Sequence, residues 1–166
     1  GTVGGGAASR ADRRSAPGSP GRRHARCACE PGSRRWGDER VEAGLRGRPA
    51  VVVTCRSVYL QGLRPGGFQA RWPTNVAIDV ESLVGSLARL RDELGRVSVA
   101  DLCLAYVLGQ PWVTSVVVGA DSEEQVRESA TLARRTPLTV EEIAHVEQQL
   151  GPVPDALVDP SQWKTT

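Results

Sequence analysis

At 166 residues, with 40% apolar side chains and a net charge of +2, the chain is sized for one ordinary domain. That mild charge is the sum of two opposed regions: residues 1–48 hold eleven arginines against five acidic groups, a surplus of +6, so residues 49–166 carry −4. No stretch approaches the length of a membrane span and no apolar run follows the N-terminal charges, which argues against a membrane protein and against a secretory signal.

The four cysteines, Cys27, Cys29, Cys55 and Cys103, have no disulfide-framework spacing, so a cytoplasmic location with reduced thiols is expected. An Arg- and Ser-rich, acid-poor start also has the composition of an organelle transit peptide. His24, Cys27 and Cys29 lack a fourth ligand at suitable spacing, so no metal site is expected.

Residues 1–48 are built from Gly, Ala, Arg, Pro and Ser without apolar periodicity. Such a segment buries too little surface to offset the entropy of ordering it and is expected to be disordered. Lys164 is the single lysine of the chain, so the positive charge is nearly all arginine, as a GC-rich coding sequence would give. Arg, Gly, Ala and Pro also dominate when such DNA is translated in another frame, and the segment is expected to be a misread or displaced start.

From Pro49 the pattern changes. Residues 51–55 form a near-continuous apolar run, as expected of a strand covered on both faces in a parallel sheet, and it ends in Arg56-Ser57. Pro65-Gly66-Gly67 marks an irregular loop. Leu83, Leu87, Leu90 and Leu94 recur at helical spacing from about Val80, with Gly95 placed to stop the helix. Ser98 with Asp101 predicts a capping box, followed by Val99, Leu102, Cys103, Tyr106 and Val107 on one stripe, the clearest amphipathic helix in the chain.

Gln110-Pro111 breaks that helix, and residues 113–118, rich in β-branched side chains, predict a second buried strand. Ser122 with Gln125 predicts the cap of a helix running to about Ala133. Thr139 with Glu142 predicts another cap, with Ile143, Val146 and Leu150 on the inner face and Gly151-Pro152 at the end. The tail over residues 153–166 has no repeating pattern, and Trp163 is the residue expected to pack back onto the body.

This order of strand, loop, two helices, strand and two helices argues for parallel β/α units. Residues 51–63 and 115–125 each run from a β-type stretch into a loop of small and polar residues. Backbone amides and short side chains in such loops can hold a phosphate, and the second loop passes directly into a helix N-terminus. The plainer interpretation of Ser122 and Gln125 is a helix cap alone. Glu123, Glu124, Glu141 and Glu142 are best explained as first-turn charges complementing helix dipoles. His145 is expected to face solvent and Cys103 to lie in the core.

Three pieces of the sequence together resemble the C-terminal portion of the aldo/keto reductases. Arg56-Ser57-Val58-Tyr59-Leu60-Gln61-Gly62-Leu63 resembles the end of the family's seventh strand. Residues 98–108 resemble its seventh helix, and residues 113–129 its eighth strand with the adenosine-phosphate loop beyond. The likeness covers roughly residues 50–150. It implies an α/β fold consisting of the last two β/α units of an incomplete (β/α)8 TIM barrel, with cofactor and substrate at the C-terminal ends of the strands. It further implies an NAD(P)-dependent oxidoreductase acting on aldehydes, ketones or sugars.

The same likeness places Ser57, Val58 and Gly62 along the pyrophosphate and nicotinamide of NADP or NAD, and Gly119, Asp121, Ser122, Gln125, Glu128 and Ser129 along the adenosine end. Ser129 stands where the family usually has Asn, and the Asp121 carboxylate would repel a 2′-phosphate. The tyrosine, lysine, histidine and aspartate of the family's carbonyl chemistry come from earlier strands. Here Tyr59, Tyr106, Lys164, His24 and His145 stand in none of those motifs, so no ordinary carbonyl-reductase activity is expected from this chain alone. The other reading of the sequence is a non-enzymatic α/β module whose basic arm binds nucleic acid or a protein partner. Two strands cannot close a barrel, and a marginally folded chain with open sheet edges is expected.

Overall fold

Parallel pairing joins three short strands in the computed structural model of the chain, which describes residues 23–29, 31, 44, 51–59, 65, 67, 70–157 and 159–164. Strand β1 (Arg23–Ala28) lies beside β2 (Val51–Arg56), and β3 (Ser115–Val116) lies on the other side of β2. Arg23 pairs with Val51 and the register runs unbroken to Ala28 opposite Arg56, while Thr54 and Cys55 pair with Ser115 and Val116. The sheet therefore has one strand more than the sequence predicts. β1 falls inside the segment expected to be disordered, and that expectation does not hold for residues 23–28. Pairing along the full length of β2, with Cys29 buried just beyond the strand, offsets the weak β propensity of its arginines and alanines. Apart from residues 23–29, Pro31 and Gly44, residues 1–48 lie outside the described residues.

β2 is not buried evenly on both faces. Val53 and Cys55 are buried and Val51 packs beside them, whereas Val52 and Thr54 on the opposite face are half-buried and Arg56 is exposed. Period-2 alternation shows why: helices cover the first face, and the second has no comparable cover among the described residues. β3 is also shorter than the expected strand over residues 113–118. Its pairing is prolonged by Thr114 N–H donating to the Val53 carbonyl (3.0 Å), Val53 N–H donating to Thr114 Oγ1 (3.2 Å) and Val117 N–H donating to the Cys55 carbonyl (2.8 Å). Val117 is 56% exposed, as expected at a sheet edge.

Helix α1 (Val80–Glu93) starts at Asp79, whose carboxylate accepts from Ser82 N–H, and buries Leu83, Leu87 and Leu90. It stops where Gly95 turns to φ +61, a left-handed conformation that costs glycine little. Helix α2 (Val99–Leu108) departs from the expected amphipathic stripe, because every residue from 101 to 107 is buried. It packs against α1, β3 and helix α3 (Glu123–Leu132) at once, so Leu104 and Ala105 are as enclosed as Leu102 and Val107. At about 1.5–3 kcal/mol for each large apolar side chain removed from water, α2 is the anchor of the core. Helix α4 (Val140–Leu150) lays Ile143 and Val146 into the same core and packs against α1.

Of the three predicted capping boxes only Thr139–Glu142 is complete. Ser98 and Ser122 each accept the expected backbone N–H, but the reciprocal side chains reach further. Asp101 accepts from Val97 N–H (3.1 Å) and Gln125 from Asp121 N–H (2.7 Å). Cys29, Cys55 and Cys103 are buried as thiols. Trp163 packs against the core as expected, its indole N–H donating to the Ala156 and Leu157 carbonyls, and the backbone of Lys164 is tied to Thr74 and Asn75. No helix among the described residues is long and apolar enough to cross a membrane.

Candidate functional site

The chain leaves β2 through Ser57, which sits at φ +61, the single non-glycine residue with a left-handed backbone among the described residues. An L-residue is held there only when its surroundings demand it. The turn brings Val58 back into the core, where it is 2% exposed, and leaves Tyr59 half-buried. Next to it β3 runs out through Gly119, Ala120 and Asp121 to Ser122, the cap of α3. Because β2 and β3 are parallel neighbours, both exits lie at the same edge of the sheet. The N-terminal end of α2 closes the third side.

Together these segments enclose a cleft of about 800 Å³. One wall carries Arg56, Ser57, Val58 and Tyr59, with Arg91 of α1 nearby. The second carries Gly119, Asp121, Gln125, Glu128 and Ser129, and the third Val97 to Ala100. Of the residues singled out in the sequence, seven thus line one cavity: Ser57, Val58, Gly119, Asp121, Gln125, Glu128 and Ser129. Ser122 does not line it; its hydroxyl accepts from Gln125 N–H at 3.2 Å and serves α3. Gly62 lies outside the described residues.

Sequence reasoning missed Arg56, Arg91 and the α2 wall. Arg56 was legible, since it is the last residue of a predicted strand whose exit was already a candidate. Arg91 enters only through the packing of α1 on α2, which no local pattern encodes. Its guanidinium is held by the neighbouring Asp92 carboxylate at 2.8 and 2.9 Å. Arg56 has no acidic partner among the described residues and is exposed.

Burial raises the Tyr59 phenol above its ordinary value of 10.0. The Ser129 hydroxyl stands near enough to oppose that shift, but the two do not meet hydrogen-bond geometry, and Tyr59 Oη is a buried oxygen without a partner. The other candidate acid–base groups are elsewhere. Tyr106 is buried in α2 and donates to Glu147 (2.8 Å). His145 faces Glu93 at 3.0 Å between α4 and α1, and the backbone N–H of Lys164 donates to Asn75 Oδ1 at 2.7 Å. None of the three lines the cleft.

The family model described as the aldo/keto reductase family matches residues 1–150 and so runs through the arginine-rich segment as well as the body. Comparison with curated proteins finds no match. Among solved structures, the chain is similar to the aldo-keto reductase AKR11C1 from Bacillus halodurans, in its apo and holo forms. The TM-score is 0.57 at 24% identity, over 82% of this chain and 46% of that one. It is also similar to an aldo/keto reductase from Klebsiella pneumoniae in complex with NADP and acetate, with a TM-score of 0.54 at 20% identity, over 87% of this chain and 44% of that one. The chain therefore spans less than half the length of these reductases.

Proposed function

The chain belongs to the aldo/keto reductase family, and on that footing we propose that its cleft is the dinucleotide-holding part of an NAD(P)-dependent oxidoreductase. The three parallel strands are then neighbouring staves of a (β/α)8 barrel. The observation that carries this reading is the convergence of two loops some sixty residues apart, one leaving β2 at Ser57 and one leaving β3 at Gly119, on one cavity at the C-terminal ends of adjacent parallel strands. Loops at that end of the last barrel strands commonly take phosphate.

The residues fit such a ligand. Arg56 can form charge-assisted hydrogen bonds to a pyrophosphate, and Ser57 offers a hydroxyl and a backbone amide beside it. Val58 holds the turn from below, and Gln125, Glu128 and Ser129 present polar groups to the far end. When bound, the nicotinamide supplies or accepts the hydride. What this chain contributes is position.

Proton donation to a carbonyl oxygen needs an acid whose pKa lies near the working pH. Tyr59 is the one tyrosine lining the cleft, and its burial moves the phenol the wrong way for that role. The chain by itself therefore binds the dinucleotide without reducing a carbonyl.

Titration of the full chain with NADH and NADPH, followed by calorimetry and by quenching of tryptophan fluorescence, tests the reading. Saturable one-to-one binding that is weakened by Arg56→Ala supports it. Absence of binding to both dinucleotides at millimolar concentration removes it.

A further inference from the structure

We propose that Cys27 and Cys55 form a reversible disulfide that latches β1 to β2. The observation behind it is the register of the parallel pair, in which Cys27 falls directly opposite Cys55. Residues opposite each other on adjacent strands share a face of the sheet, and the strands lie about 4.7–4.9 Å apart. Bridged cysteines have Cα separations of about 4.4–6.8 Å, so the strand spacing admits the bond.

The rest of the cysteine set favours this pair over others. Cys29 follows Cys27 by two residues, and a strand rises about 3.3 Å per residue, which puts its Cα roughly 8 Å from that of Cys55. That exceeds the limit of about 7 Å for a bridge without backbone movement. Cys29 N–H donates to the Arg56 carbonyl at 3.2 Å, so the ladder is still intact at that point. Cys103 belongs to α2, in a different layer of the core. Among the described residues no three His, Cys, Asp or Glu side chains are grouped to hold a metal, so Cys29, Cys55 and Cys103 have no joint use as ligands.

The burial of Cys55 decides how the bond forms. It has no solvent exposure, so its thiol meets an oxidant only through an opening of the fold. β1 is the element suited to that opening: it is an outer strand of the sheet, paired with β2 alone among the described residues, and weak in β propensity. A thiolate exposed in the opened state attacks a sulfur of a small disulfide such as oxidised glutathione, whose S–S bond breaks and expels one glutathione thiolate. As β1 re-pairs, the thiolate of the second cysteine attacks the sulfur of the first and expels the other glutathione. Two protein thiols are thereby oxidised to one disulfide, the glutathione disulfide is reduced to two thiols, and the protons lost by the protein end on glutathione. In a compartment that keeps thiols reduced, such a bond is transient and follows the thiol–disulfide poise. Cys55 lies two residues before Ser57, so the latch tethers the strand that carries the turn into the cleft.

The test is incubation of the full chain with glutathione at ratios from reduced to oxidised, followed by alkylation and peptide mapping. Expected at the oxidised end is a monomer lighter by two hydrogens, with the segment holding Cys27 joined to the segment holding Cys55. The bond should slow tryptic cleavage after Arg26, inside β1, by at least about tenfold, and dithiothreitol should restore the original rate. Cys27→Ser should end with glutathione adducts and no internal bond. In urea, where the register is lost, the same treatment should scatter the pairings. A bridge through Cys29 or Cys103 in the native chain overturns the proposal, as does a chain that stays fully reduced at the oxidised end. The same mixture of pairings with and without urea overturns it too, because the register would then have no part in the choice.

Discussion

Arg135 Nε lies 3.0 Å from Asp101 Oδ2, which joins the loop after α3 to the first turn of α2 through a carboxylate that has no solvent exposure. Arg96 approaches the other carboxylate oxygen at 3.6 Å and donates to the Thr136 carbonyl at 2.8 Å. Two loops and a helix start are thus pinned at one buried charge. Asp101→Ala would leave the 8%-exposed Arg96 side chain without its counter-charge, and a loss of about 3 kcal/mol is expected in urea unfolding. Arg135→Ala should cost clearly less, because that side chain is 39% exposed.

Two glycine replacements should have opposite signs. A Cβ on Gly109 would run into the Leu138 carbonyl oxygen and come within 3.0 Å of Ile143 Cδ1, so the chain cannot accept it without moving α4 or its approach. Gly109→Ala is expected to destabilise by about 1–3 kcal/mol. Gly85, on an exposed face of α1, has nothing within 4 Å of a built Cβ. Gly85→Ala should stabilise by about 0.5–1 kcal/mol, read as an upward shift of the urea midpoint.

Ser57 pays for its left-handed backbone roughly 1–2 kcal/mol. Glycine removes that cost but loses a comparable part to its freer unfolded chain, so Ser57→Gly should unfold within about 0.5 kcal/mol of the unaltered protein. Ser57→Val, β-branched at the same φ, should cost about 1–2 kcal/mol. Equal midpoints for the two variants would contradict the turn geometry.

Alkaline titration reports on Tyr59. Its phenol is raised above 10.0 by burial, so the folded chain holds the proton more tightly than the unfolded one. The stability linked to that proton is complete below pH 10 and is lost as pH rises through the higher folded value. Difference absorbance near the phenolate band should show Tyr59 titrating late, and Tyr59→Phe should remove its share of the late phenolate signal and flatten the alkaline decline in stability.

Helix boundaries were legible because each is written locally. Gly95 and Gly151 both take positive φ at the ends where the sequence places them, and Ser98, Ser122 and Thr139 all accept a first-turn N–H. β1 was not legible, since nothing in Arg23-His24-Ala25-Arg26-Cys27-Ala28 alternates strongly and its order comes from β2, more than twenty residues on. The same distinction applies to the cleft. Its two loops are announced by their own residues, whereas the α2 wall and Arg91 arrive through helix packing. Asp101 and Gln125 reach past their expected capping partners to the N–H one residue earlier, a choice between two neighbouring donors that the spacing alone does not decide.

The enclosure of α2 gives the cleft two walls of very different tempo. Amides between Leu102 and Val107 sit in a helix shielded on every side, so deuterium should enter them only through global opening. Across the gap, α3 shows solvent nearly all of its residues and keeps only Leu132 fully covered, so its amides should exchange through small local fluctuations. A molecule entering the cavity would meet a fixed surface on one side and a yielding one on the other, and protection gained on binding should therefore be concentrated in α3.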